Sequence, residues 1–156
     1  MKKGMIAIMV LGAILLNGCK KDNVEKVLTL EMKINGVRWV AAKNVAGLYN
    51  TSTNGINITG QTGDELVSVS RDNVTGNGIY AIPSGNMNAL VLKGGSVLPY
   101  TASSSKVKSH GRVTLLSQSS SAISYIKNIE ADFSGVLYDS FGTDSVVITE
   151  GKLRYQ

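Results

Sequence analysis

The clearest pattern of hydrophobic and polar positions lies in residues 28–41. In its first half every second residue is apolar and the residues between are polar, which is the period of a half-buried β-strand. Asn35-Gly36 follows, and this dipeptide strongly favours a two-residue type I′ turn between antiparallel strands. Such a turn places Met32 opposite Trp39 on the apolar face. The pattern therefore predicts a β-hairpin, with Trp39 as a core residue or, alternatively, as a surface on which a ligand stacks.

Short segments of similar character recur along the chain at about ten-residue spacing. The longest, residues 126–138, alternates throughout, and Gly135 within it predicts a bulge or the close approach of another strand. Residues 99–105 and 117–121 are rich in serine and predict loops. Besides the hairpin, the predicted strands are residues 45–50, 56–60, 66–70, 78–82, 89–93, 106–116 and 126–138. Residues 146–149 and 152–155 predict a final strand or a strand pair broken at Gly151.

These strands, with no helical period after residue 19, predict an all-β domain. The expected architecture is an antiparallel β-sandwich of about eight to ten strands, with a small β-barrel as the alternative. Glycine is abundant, at 17 residues, and proline is scarce, at 2 residues, which suits short strands joined by tight turns.

The N-terminal segment has a different character. Lys2 and Lys3 precede an uncharged run of the length of a signal-peptide h-region, well short of the ~20 apolar residues that span a bilayer. The run ends in Leu16-Asn17-Gly18-Cys19, which holds the only cysteine of the chain. This segment resembles the lipobox of bacterial lipoproteins, where a peptidase cuts before the cysteine and the cysteine is acylated. Asn17 departs from the usual pattern, and the alternatives are an ordinary secretory signal or a buried core helix.

The resemblance implies a cleaved signal helix at residues 1–18, the lipidated Cys19 with a flexible tether at residues 19–27, and a single all-β domain at residues 28–156. Two or three acyl chains would make the attachment permanent, since each buried CH₂ contributes about 0.8 kcal/mol. At ~3.3 Å per residue the tether reaches about 20–25 Å. Lys20 stands where such lipoproteins carry an aspartate that retains them in the inner membrane. The resemblance therefore implies the outer membrane, on its periplasmic or its surface face.

The net charge and the cysteine content restrict the classes of function that the chain can have. The formal net charge of +5 falls to +3 when Lys2 and Lys3 leave with the signal peptide, and such a charge does not indicate nucleic-acid binding. Once Cys19 is acylated, no thiol remains for a disulfide, a redox reaction or a metal. His110 is the only histidine, which is too few for a zinc site. We therefore expect no cofactor and no metal.

Basic residues recur at every second position in one segment, at Lys106, Lys108, His110 and Arg112. On a β-strand this spacing puts all four side chains on one face. They predict a basic stripe that binds an anionic partner such as lipid phosphate or an acidic glycan, through contacts that salt would weaken. The alternative is an edge strand that its lysines protect against unwanted pairing.

Two acidic patterns are candidates for chemistry. Glu130 and Asp132 lie two apart on the outward face of the longest strand, which separates their Cα atoms by about 6.5–7 Å, within the range of glycosidase carboxylate pairs. The alternative is an ordinary solvated strand face. Residues 139–144 place two aspartates around a glycine turn and predict a weak calcium site at most. Asp144-Ser145-Val146 resembles a short O-glycosylation motif of envelope proteins.

The order of several short segments resembles a family of small lipoproteins of Bacteroidetes. The segments are residues 32–39, 55–60, 78–80, 111–114, 131–135 and 146–149, followed by Gly151. The resemblance implies an envelope location and a β architecture, and it assigns no activity or site residues.

These observations together predict a non-enzymatic binding or scaffold module of the outer envelope. It would be held to the membrane by its lipid, with a glycan or an envelope protein as partner. The alternative is a glycan-directed hydrolase that uses Glu130 and Asp132. A row of exposed aromatic side chains would favour glycan binding, and the candidates are Tyr49, Tyr80, Tyr100, Tyr125 and Tyr138.

Overall fold

The computed structural model describes residues 26–82, 89–94, 97–102 and 108–156. The predicted signal peptide, Cys19 and most of the tether lie outside these ranges, as does Lys106. No helix long and apolar enough to cross a membrane occurs in the described ranges.

Eleven strands form one antiparallel sheet within these ranges. Their bounds are β1 Leu28–Ile34, β2 Val37–Val40, β3 Lys43–Asn50, β4 Gly55–Thr62, β5 Glu65–Arg71, β6 Gly78–Ile82, β7 Ala89–Gly94, β8 Val97–Ala102, β9 His110–Ser120, β10 Ile126–Tyr138 and β11 Ser145–Tyr155. The prediction of an all-β antiparallel fold is confirmed.

Strand β10 is the centre of the sheet. The strand order is β2-β1-β11-β10-β3-β4-β5-β7-β8, while β9 pairs with β10 and with β6. The first residues of β10 pair with β3, and its second half pairs with β11. Because β8 also reaches β10, through Tyr138 and Thr101, the sheet curls back towards its own middle. This is the topology of a β-sandwich or an open barrel-like fold.

The predicted hairpin of β1 and β2 is confirmed. Asn35 and Gly36 have φ of 48° and 83°, as a type I′ turn requires, and Met32 pairs with Trp39. Trp39 is buried, and its indole N–H donates to Glu65 Oε2 at 2.7 Å, which ties β2 to β5. Trp39 is therefore a core residue and is not available for stacking a ligand. Val37 lies at the hairpin tip and is 71% exposed, although it is on the same face of β2 as Trp39.

The alternation predicted for β10 is also confirmed. Its odd-numbered residues from position 129 to position 137 are buried, and the even-numbered ones are half-buried. At Gly135 the register with β11 shifts, and its Cα lies 3.6 Å from where a Cβ on Gly111 of β9 would stand. The hydrophobic core therefore lies along the inner face of β10, where side chains from β1, β4, β5, β9 and β11 join it.

Two segments differ from the predictions. Residues 99–102, predicted as the start of a loop, belong to β8; Pro99 is tolerated because the pairing with β7 is irregular there. The polar residues 117–120, predicted as a loop tip, continue β9 along the edge of β10. The C-terminal segment, predicted as one strand or as a strand pair broken at Gly151, is one strand, β11. Its pairing with β1 shifts near Gly151, and Glu150 has a positive φ of 53°.

Candidate functional site

The structure describes three residues of the basic stripe, Lys108, His110 and Arg112. His110 and Arg112 are exposed on one face of β9, and Ser109 and Val113 are buried, as the alternation predicts. Lys108 is exposed just before the strand, and its carbonyl oxygen lies 3.3 Å from His110 Nδ1. The alternative of a protected edge strand is wrong, because β9 pairs with β10 on one side and with β6 on the other.

The carboxylates of Glu130 and Asp132 are engaged in cross-strand contacts. Glu130 accepts hydrogen bonds from the hydroxyl of Ser117 at 2.9 Å and from the backbone N–H of Tyr155 at 3.1 Å. Asp132 forms an ion pair with Arg154, which also donates to backbone carbonyls of β10 and β11. The two side chains therefore bind different neighbours and do not face one reacting centre.

The environment of Glu130 opposes a role as general acid. The N–H of Tyr155 and then the hydroxyl of Ser117 stabilise the carboxylate and hold the pKa of Glu130 below its ordinary value of 4.5. A glycosidase acid needs the opposite shift, so that the carboxyl group keeps its proton near neutral pH. Glu130 stays ionised there and has no proton to donate.

The lowered pKa of Glu130 predicts a pH dependence of stability. Because the folded pKa is depressed, the contribution of this carboxylate is present above the unfolded value and is lost as the pH falls through the folded one. We expect Glu130→Gln to be less stable than wild type near neutral pH and to approach it well below pH 4.5. Urea unfolding at stepped pH values measures this.

The control is Glu31→Gln. The pKa of Glu31 is also lowered, mainly by its hydrogen bond with Arg38, whose side chain is 73% exposed. An exposed ion pair contributes little to the free energy of unfolding. Its effect should be the smaller of the two. A difference between Glu130→Gln and wild type that stays constant with pH would contradict the account.

Both carboxylates of the turn at residues 139–144 accept hydrogen bonds from neighbouring groups of the protein. Asp139 accepts from the backbone N–H and the hydroxyl of Thr143, both at 2.8 Å. Asp144 accepts from the N–H of Ser145 at 2.8 Å and from the hydroxyl of Tyr100 at 2.7 Å. In the described part of the chain, no group of three or more His, Cys, Asp or Glu residues is placed to hold a metal. Ser145 is half-buried at the start of β11, and its glycosylation stays a prediction.

The five candidate tyrosines do not form an exposed row. Tyr49 is buried and donates to the carbonyl of Val74 at 3.0 Å. Tyr80 donates to the carbonyl of Gly76, and Tyr100 donates to Asp144. Tyr138 is half-buried, and Tyr125 is 50% exposed. Most of these rings therefore support the fold, and Tyr125 alone among the five is exposed.

An open groove lies on the outer sheet face, at the end of the molecule where β10 begins. It has a volume of about 290 Å³. Four adjacent strands, β10, β3, β4 and β5, and the residues that follow them supply its lining. The lining residues are Ile126, Leu48, Asn50, Thr53, Gly55, Ile56, Asn57, Ser70 and Asp72.

The register of these strands explains the concave shape. Leu48, Asn57 and Ser70 stand side by side in one cross-strand row, and Ile126 pairs with Asn50 in the next. Gly55, the partner of Asn50, has no side chain. A Cβ on Gly55 would lie 3.2 Å from Asp72 Oδ1 and 3.3 Å from Thr53 Oγ1. The row of Ile126 and Asn50 therefore lacks a side chain at Gly55, which leaves space there.

The two asparagines of the groove offer polar atoms to a ligand. Asn50 Oδ1 accepts the backbone N–H groups of Ser52 at 2.9 Å and Thr53 at 3.3 Å, which leaves its Nδ2 as a donor of fixed orientation. Asn57 is exposed, and within the described ranges its side-chain amide has no hydrogen bond. The groove thus presents oriented amide groups beside the apolar side chains of Leu48 and Ile126.

Further exposed apolar side chains border this site. Ile123 and Tyr125 are each 50% exposed in the turn before β10. The N–H and the hydroxyl of Thr51 donate to the carbonyl of Tyr125, at 2.9 and 3.2 Å, so this turn is fixed against the β3–β4 loop. Joining the four strands into one groove required their register, which no local sequence signal gives.

No protein-family model, no curated protein and no solved structure matches the chain.

Proposed function

We propose that this chain is an outer-envelope lipoprotein, anchored through Cys19, whose β domain binds a ligand without transforming it. The groove on β10, β3, β4 and β5 carries the proposal. It combines an apolar floor with a few oriented polar groups, which is the usual composition of a ligand site. It is also built on paired strands, which hold side chains more rigidly than loops do.

The arrangement of the carboxylates supports binding over hydrolysis. Glu130 is held ionised by its hydrogen bonds, and Asp132 is neutralised by Arg154. A hydrolase of the kind considered above would need a proton donor and a second carboxylate facing one cleft. Neither residue lines the groove.

The basic stripe is a second contact in the same proposal. Lys108, His110 and Arg112 are exposed near the start of β9. They would bind anionic groups of the envelope, such as lipid phosphate or an acidic glycan, and raised salt concentration would weaken that contact.

The position of the tether suits an anchored binding module. Val27 and Gln156 exchange backbone hydrogen bonds at 2.9 Å, so the chain enters the domain at a fixed point beside the end of β11. Tyr155 contacts Glu130, which lies four residues along β10 from Ile126 in the groove. At ~3.3 Å per residue, the groove begins about 13 Å from the tether. The proposal therefore places the groove on the same half of the domain as the point where the tether enters it.

Hydrogen exchange on the full-length lipoprotein in detergent micelles tests this proposal. Envelope extract would be separated into polysaccharide, lipid and protein fractions, and each fraction would be added in turn. We expect one fraction to slow exchange in residues 48–57 and 70–72 without any cleavage of the added material. Protection of no segment by any fraction, or release of new reducing ends from the polysaccharide, would contradict the proposal.

A further inference from the structure

We infer that the groove binds a neutral oligosaccharide, an inference that rests on the proposed binding function and names its ligand class. The juxtaposition that carries it is the pair of asparagine amides, Asn50 and Asn57, beside Leu48 and Ile126 on one outward sheet face.

The charge of the lining selects against ionic ligands. Asp72 is the only residue with an ionisable side chain among those that line the groove, and no Lys or Arg lines it. A phosphate, sulfate or uronic acid would therefore lose hydration without meeting a cation. A lone carboxylate is likewise a poor site for a metal ion, which takes several oxygen ligands. The ligand that fits is uncharged and rich in groups that both donate and accept hydrogen bonds.

The geometry of the amides matches neighbouring hydroxyl groups. Asn57 offers a donor and an acceptor from one planar group, and Asn50 offers donors held in place by the β3–β4 loop. Leu48, which is 39% exposed, and Ile126 give an apolar surface for the C–H face of a sugar ring. Thr53 adds a hydroxyl at one side.

The size of the groove favours a short segment of a chain. Its volume of about 290 Å³ is at the lower end of the range of roughly 300–1,000 Å³ for small-molecule sites. The groove is open to solvent along the sheet, so a longer oligosaccharide can extend beyond it. A protein partner fits less well, because a specific protein interface buries about 800 Å² on each partner, far more surface than this groove offers.

Calorimetric titration of the full-length lipoprotein in micelles tests the inference. The probes are neutral gluco-, manno-, galacto- and xylo-oligosaccharides, with an oligogalacturonate and inorganic phosphate as charged comparisons. We expect at least one neutral probe to bind and the charged ones not to bind. Asn57→Ala should weaken binding about tenfold, which corresponds to roughly 1.4 kcal/mol, the net contribution of about one or two hydrogen bonds.

Two further variants locate the site. Gly55→Thr puts a side chain into the groove beside Asn50 and should abolish binding. The backbone of Gly55 is outside the positive-φ region, and the new Cβ would meet two side-chain oxygens, at 3.2 and 3.3 Å, which have to move slightly. Asn128→Ala removes an amide from the same sheet face outside the groove and should bind as wild type does. Binding by no neutral probe, or unchanged binding in Gly55→Thr, would overturn the inference. If a lipid or protein fraction still protects the groove from exchange, the binding function stands and only the sugar is wrong.

Discussion

Replacing Gly151 with alanine is expected to destabilise the domain by about 3 kcal/mol or more. Gly151 is buried in β11 opposite Phe133 of β10. A Cβ at this position would stand 2.6 Å from two ring carbons of Phe133 and 2.6 Å from its carbonyl oxygen. The ring can rotate only into a packed core, and the carbonyl is fixed by the pairing of the two central strands. The clash therefore has to be relieved by moving backbone.

Thermal and urea unfolding, followed by circular dichroism, measures this effect. The matched control is Gly55→Ala, where the added Cβ meets side-chain oxygens at 3.2 and 3.3 Å and a backbone oxygen only at 3.9 Å, so we expect a much smaller change in stability. Gly151→Ala should destabilise the Phe133→Leu variant less than it destabilises wild type. In the Phe133→Leu background the clash with the ring is removed, while the clash with the carbonyl oxygen remains. Equal midpoints for Gly151→Ala and wild type would show that β10 and β11 are not paired as described.

The second large effect concerns attachment. Cys19→Ala is expected to move the protein from the detergent-rich phase to the aqueous phase in phase partition, because alanine has no thiol to acylate. Two acyl chains hold a protein effectively permanently at about 0.8 kcal/mol per buried CH₂, whereas a tether without them has no comparable affinity for lipid. Asn17→Ala, which brings the lipobox closer to its usual form, should partition as wild type does. Retention of Cys19→Ala in the detergent phase would mean that an uncleaved N-terminal segment holds the protein.

Much of the fold follows from local pattern. Asn35-Gly36 fixes the register of β1 and β2, since a one-residue slip would turn Met32 and Trp39 away from the core. In β10, alternation over 13 residues identifies the central strand and its buried face. These features depend on neighbours in sequence, so they can be predicted without knowing the rest of the structure.

The errors in prediction have one physical origin. Pro99 and the serines at 117–120 have loop propensities, yet pairing with β7 and with β10 keeps them in strands. The lysine-rich segment suggested an edge strand, but only the topology shows that β9 has neighbours on both sides. In each case tertiary pairing overrides local preference.

The candidate groove was beyond prediction for the same reason. Asn50 and Asn57 flank one turn, and their shared face can be read from the sequence. Ser70 and Ile126 join them only because β5 pairs with β4 and because β10 returns to β3. A site assembled from four strands requires the full register, whereas the segment that resembles a lipobox is contiguous and needs none.

The central claim is that acylation of Cys19 holds this β domain at the envelope. Metabolic labelling with an alkyne-tagged fatty acid, followed by in-gel detection, tests it most directly. We expect label on wild type and on Asn17→Ala, and none on Cys19→Ala. Absence of label on wild type, or equal label on Cys19→Ala, would contradict it.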